Sequence, residues 1–177
     1  MAEQFFRDLG EFSAPPRVDG ASARAREPDR PLVGYGLLMS IFGGLVATFS
    51  IWLRRTARRL PERIGPGDLA VLTVATHKAS RLVTKDRVTS TVRAPFTRFQ
   101  ANDGPGEVSE TARGTGVRRA VGELLVCPYC IAVWIAAGFA VGLVVAPRAT
   151  RLAASILTIV FGSDVLQIAY RKAEDAL

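Results

Sequence analysis

Two cysteines, one histidine and two methionines are all that the 177 residues contain of these ligand-forming side chains. Both cysteines fall in one group, Cys127-Pro128-Tyr129-Cys130, which excludes the multi-disulfide framework of a small secreted domain. The sole histidine, His77, leaves little scope for acid–base chemistry. Walker loop, dinucleotide fingerprint, HExxH and nucleophile-triad patterns are all missing. The first thirty residues lack the apolar core of a cleavable signal peptide, so the first hydrophobic helix is expected to serve as its own insertion signal. Charge, too, is missing from long stretches of the chain.

What is present has an average composition, 49% apolar and 22% charged, close to that of soluble domains. The segregation is the informative part. Apolar residues gather in long uncharged runs and charges gather between them, as in membrane chains. A net charge of +7 would suggest nucleic acid in a soluble protein. No aromatic-interleaved basic patch or helix-turn-helix spacing accompanies it, so no nucleic-acid partner is expected. Lys and Arg are read instead as loop residues set against anionic lipid headgroups.

Residues 1–31 read as a disordered tail rich in proline, with a short amphipathic start at Phe5, Phe6, Leu9 and Phe12. Leu32 to Leu53 is a first span of 22 uncharged residues, long enough at about 1.5 Å per residue for a core of roughly 30 Å. Tyr35 and Trp52 stand at its ends, where aromatic rings prefer the interface. Arg54, Arg55, Arg58, Arg59 and Arg63 follow, then Pro61, Gly65 and Pro66 interrupt the helix. A shorter helix is expected over 68–84. Only Leu69 to Thr76 is free of charge, so it either crosses with its basic end snorkelling or lies in the interface. A polar loop occupies 85–119, and two further spans cover 124–146 and 152–170, the last carrying Asp164.

The balance of basic residues places the 85–119 loop and the C-terminus in the cytoplasm and the Pro147–Arg151 turn outside. It does not decide whether the 68–84 helix crosses, because either arrangement puts the same number of Lys and Arg inside. In both, Cys127 and Cys130 lie at the cytoplasmic end of their span, and Asp164 sits six residues before Tyr170, about 9 Å below that surface.

Three groups of residues offer chemistry. Cys127 and Cys130 at a helix start share a face, and the helix N-terminus favours a thiolate. The pair reads as a thiol–disulfide couple, as half of a zinc site with His77 or a second copy of the chain supplying ligands, or as two small packing residues. Asp164 costs roughly 2.5–3.5 kcal/mol in mid-span and therefore needs a partner, with Lys78 and Arg81 the candidates and Gln167 on the same helix face. Together these form an expected polar cluster, read either as a proton or ion path or as an ion pair fixing helix register. In the loop, Lys85, Asp86 and Arg93 are expected to form ion pairs, with Asp86 joined to Arg81 or Arg93.

Three stretches carry a family resemblance. They are Thr76-His77-Lys78-Ala79-Ser80-Arg81-Leu82, Thr84 to Ser90 running on to Arg93-Ala94-Pro95-Phe96-Thr97, and Glu123-Leu124-Leu125-Val126-Cys127-Pro128-Tyr129-Cys130 with Trp134. Over residues 67–170 the chain resembles a small, uncharacterised family of bacterial multipass membrane proteins. That family is a domain of unknown function and includes a sporulation-associated membrane protein. The resemblance implies a membrane domain but no activity, cofactor or partner.

The expected fold is all-α: a polytopic membrane helix bundle of three transmembrane helices and one shorter inserted or interfacial helix. The expected role is that of a non-enzymatic scaffold or interaction protein of the bacterial inner membrane, a homo-oligomer or bound to a protein partner, with no cofactor unless zinc. A CxxC redox or metal-binding protein and a small holin-like pore are the alternatives.

Overall fold

The computed structural model describes residues 30–56, 60 and 63–176. The chain divides after Arg30, and the elements below all belong to the unit Pro31–Leu177. The tail expected over 1–31 lies outside the described residues except for Arg30 and Pro31.

The uncharged runs form helices. Helix α1 is Leu32–Arg55, α2 Pro66–Thr84, α4 Gly116–Val126, α5 Pro128–Val145 and α6 Pro147–Glu174. Between α2 and α4 come a one-turn helix, α3 (Ser90–Arg93), and an antiparallel hairpin of β1 (Thr97–Gly104) and β2 (Glu107–Ala112). Three helices, α1, α5 and α6, are long and apolar enough to cross a membrane. Their large apolar side chains point outward: Val33, Met39 and Ile159 are each at least 70% exposed.

The helix directions follow from who meets whom. On α2 and α6, Asp68 meets Arg151, Thr158 meets the Val71 carbonyl, and Lys78 meets Asp164. Both numbers rise together, so α2 and α6 run parallel. Helix α5 turns tightly into α6 at Ala146–Pro147 and therefore runs against both, packing on α2 and α6. Tyr35 meets Glu123 on α4 and Phe42 meets Trp134 on α5 edge to face at 5.0 Å, so α1 runs the same way as α5. Helices α1 and α5 thus leave the hairpin end of the molecule, and α2 and α6 return to it. At about 1.5 Å per residue, the 19 residues of α2 rise about as far as the 18 residues of α5 beside it.

The hairpin corrects the all-α expectation. Asn102-Asp103-Gly104-Pro105-Gly106 reverses the chain between two strands, with Gly104 and Gly106 at φ +137° and +78°, values that side chains disfavour. On β2 the alternation puts Val108 and Glu110 inward and Ser109 and Thr111 outward. The loop expected over 85–119 is therefore a folded cap. Its first residues join the sheet edge: Val108 donates to the Lys85 carbonyl and Arg87 to that of Gly106. Helix α4 closes over the hairpin at Gly122, where any Cβ would collide with the Phe96 carbonyl.

Two boundaries also differ from expectation. The span expected over 124–146 breaks at Cys127, which is extended at φ −104°, ψ 104°. Pro128 has no N–H to continue α4 and pushes its predecessor out of the helical region. The last helix begins at Pro147 rather than Leu152, since proline is well suited to a first helical position.

Candidate functional site

The polar residues of the fold gather at three places. The first is the centre of the cap. Arg93 and Glu110 have side chains 1% and 2% exposed, with Nε to Oε2 at 3.0 Å. The guanidinium also donates to the carbonyls of Val83 (2.6 Å) and Asp86 (3.0 Å) and to Thr89 Oγ1 (2.6 Å). Ser90 (2.5 Å) and Thr97 (2.7 Å) donate to the carboxylate. One ion pair thus ties the end of α2, the turn after it, α3 and both strands. Burial pushes the Glu110 carboxyl up, but hydrogen bonds from Arg93, Ser90 and Thr97 and the Arg93 charge prevail, holding it below the usual carboxylate value.

The second is the seam between α2 and α6. Lys78 Nζ lies 2.5 Å from Asp164 Oδ2, and Arg151 grips Asp68 with two bonds of 2.8 and 2.9 Å. Between them Thr158 Oγ1 donates to the Val71 carbonyl at 3.1 Å. Ala75 and Ala154, both fully buried, fit the close approach of the two helices. His77 packs edge to face on Phe161 at 5.5 Å. Gln167 donates to Ser163 at 3.3 Å on its own helix. Of the residues expected to cluster, Lys78 and Asp164 meet directly. Arg81 reaches the cap instead, where it holds Glu107 at 2.5 Å.

The third is the break between α4 and α5. The sulfurs of Cys127 and Cys130 are within bonding distance, with Cα atoms 5.3 Å apart. Cys127 Sγ accepts from the Cys130 backbone N–H at 3.2 Å, so the first cysteine caps α5. Nearby, Glu123 accepts from Tyr35 and, at 3.0 Å, from Arg119 Nε. A cavity of about 410 Å³ between α1, α4 and α5 is lined by Leu38, Met39, Phe42, Glu123, Cys130 and Trp134 among others. Among the described residues no three His, Cys, Asp or Glu side chains converge as a metal site, so His77 and the two cysteines do not form a ligand set.

The loop pairing expected of Asp86 is corrected. Lys85 pairs with Asp103 at 3.3 Å, Arg93 with Glu110 and Arg81 with Glu107. The Asp86 carboxylate accepts instead from the Val88 N–H at 2.8 Å, closing the turn after α2. The acidic partners, Glu107, Glu110 and Glu123, escaped the sequence reading. Two of them were accessible to it: Glu107 and Glu110 follow a Gly-Pro-Gly reversal in a stretch that alternates with Val108, a hairpin signal read as loop.

Comparison with known proteins gives three findings. Residues 71–170 match the family described as "Protein of unknown function (DUF1360)". The chain is similar to "Sporulation protein YjcA" of Bacillus subtilis (strain 168), with 31% identity over 94 residues, 51% of this chain and 80% of the relative. No solved structure matches.

Proposed function

Because this chain belongs to the DUF1360 family, whose function is unknown, its role has to be read from its own geometry, and we propose that it is a membrane-embedded, non-enzymatic scaffold of the bacterial inner membrane. On this reading four helices cross the bilayer and the cap lies on the cytoplasmic side. The observation that carries it is the pairing along α2. That helix is too polar to stand in lipid alone, yet Asp68 and Lys78 meet charged partners on α6, and Arg81 meets one in the cap. Buried or lipid-side charges normally find such partners.

The topology this implies puts the start of α1, the hairpin and the end of α6 on one side. Leu60, between α1 and α2, and the α5–α6 turn lie on the other. That arrangement places most Lys and Arg at the cap end, the cytoplasmic end by the positive-inside rule. Scaffolding suits the polar groups, which hold helices and cap together. The pore alternative is disfavoured, since Asp164 is engaged by Lys78 and Gln167 by Ser163. A homo-oligomer or a protein partner at the cap fits the same reading, as does contact of its basic residues with anionic headgroups.

The test is extraction of membranes from cells expressing the full chain at alkaline pH in carbonate, paired with a photo-crosslinking side chain at Phe99. The scaffold reading expects the protein to stay with the membrane pellet and Phe99, 57% exposed on the cap, to give a discrete protein adduct. Release into the supernatant would remove the membrane reading. Retention without any adduct from the cap would remove the scaffold reading alone.

A further inference from the structure

The cavity beside Cys130 joins features that the scaffold reading leaves unused. Its wall includes Cys130, one member of a cysteine pair already within bonding distance, the aromatic residues Phe42 and Trp134, and a polar end at Tyr35 and Glu123. Met39 (71% exposed) and Val133 (57% exposed) stand at its rim on α1 and α5, so its mouth opens along the apolar outer surface rather than toward the cap. At about 410 Å³ it falls in the size range of small-molecule sites.

We infer that this cavity takes the ring of a lipid-soluble quinone, which oxidises Cys127 and Cys130 from dithiol to disulfide. The chemistry of the wall selects the ligand class. A cysteine pair gives up two electrons and two protons together, and a quinone takes up two of each while dissolving in hydrocarbon. Two S–H bonds break and one S–S bond forms. Both electrons go to the quinone, and its two carbonyl oxygens become the hydroxyls of a quinol. Flat aromatic side chains suit a flat ring, and the polar end of the cavity is the hydrogen-bonded pair of Tyr35 and Glu123. Glu123, the carboxylate on that wall, is assigned the thiol proton. Cys127 is the sulfur favoured as thiolate, since it receives the backbone N–H at the start of α5. The membrane's redox state would thereby set whether the joint between α4 and α5 is cross-linked.

The experiment uses the purified full chain in detergent, reduced and freed of reductant under nitrogen. The oxidant is decylubiquinone, whose fully substituted ring cannot be arylated by thiols. Diamide, a water-soluble thiol oxidant, serves as the comparison. The expected result is loss of both thiols with one quinol formed per chain, and no quinol from Cys130→Ser. Met39→Trp, which fills the cavity while leaving both cysteines in place, should slow oxidation by quinone relative to diamide by about tenfold. Leu38→Trp repeats the test should Met39→Trp fail to fold. Closure of the pair by diamide with no quinol from decylubiquinone would overturn the inference. So would an unchanged quinone-to-diamide ratio in both filled variants, the result expected if the cavity holds only a lipid chain.

Discussion

The helices and the cap expose opposite kinds of residue, although both are joined by polar pairs. On α1, α5 and α6 the exposed surface is Leu, Ile, Val and Met, and the inner contacts of α2 with α6 are made by alanines, a threonine, the His77–Phe161 ring pair and charged pairs. In the cap the order is the familiar one for water, with turns and charges outside. Its centre, however, is not apolar: Arg93 and Glu110 occupy it with a shell of hydroxyls and carbonyls. The hydrophobic effect rewards burial from water only. Helices surrounded by hydrocarbon gain nothing by hiding Leu, and their association rests on close packing and polar pairs. The cap has few residues with which to build a core, so a satisfied ion pair does the joining.

The contrast can be broken most forcefully at the cap's centre. Arg93→Ala leaves the Glu110 carboxylate buried without its partner and should destabilise the cap by about 3–5 kcal/mol. Limited proteolysis at the hairpin would report it, with the helices still in the membrane fraction. The double change Arg93→Met with Glu110→Leu should cost less than either single change, because no lone charge remains. Next in size is Gly122→Val, whose Cβ meets the Phe96 carbonyl and the Ala112 side chain. Overpacking there should cost about 1–3 kcal/mol, read as a lower thermal midpoint in detergent. Asp164→Asn weakens the tie to Lys78 and should cost about 1–2 kcal/mol in the same measurement, without opening the cap to protease. The smallest effect belongs to Lys85→Ala, whose pair with Asp103 is half open to solvent. A change under about 1 kcal/mol is expected.

Acid separates the two regions in another way. The Glu110 carboxyl titrates lower in the folded cap than in the unfolded chain. Its contribution is therefore complete above the unfolded value, about 4.3, and is lost as pH falls through the lower folded value. Protease sensitivity of the hairpin should rise over that acidic window. Glu110→Gln should flatten the dependence there while leaving the cap weaker at neutral pH.

The two regions also differed in how plainly the sequence announced them. Uncharged runs of about twenty residues read as helices of membrane length, so the helix over 32–53 and the two later ones were legible, and so was the need of Asp164 for a basic partner. Lys78 and Arg81 could not be told apart, because one turn of helix separates them and only the register of α6 decides. The hairpin was missed because its strands are polar, and Glu110 sits where alternation would place an apolar residue. The break at Cys127 was visible in Pro128 but looked like a helix start, since α4 continues the apolar run up to it. The direction of α2 was hidden for a different reason: charge counting gives the same total either way, and only its pairs with α6 show that the two helices run parallel.

That direction is the claim on which the account turns, and it can be measured by thiol labelling in intact cells. Single cysteines are placed at Leu60, Asn102 and Arg148 in a chain with Cys127 and Cys130 replaced by serine, and a membrane-impermeant maleimide is applied before and after permeabilisation. The account predicts that Leu60→Cys and Arg148→Cys label in intact cells, while Asn102→Cys labels only once the membrane is opened. Leu60→Cys behaving like Asn102→Cys would show that α2 does not cross and would contradict the four-helix arrangement.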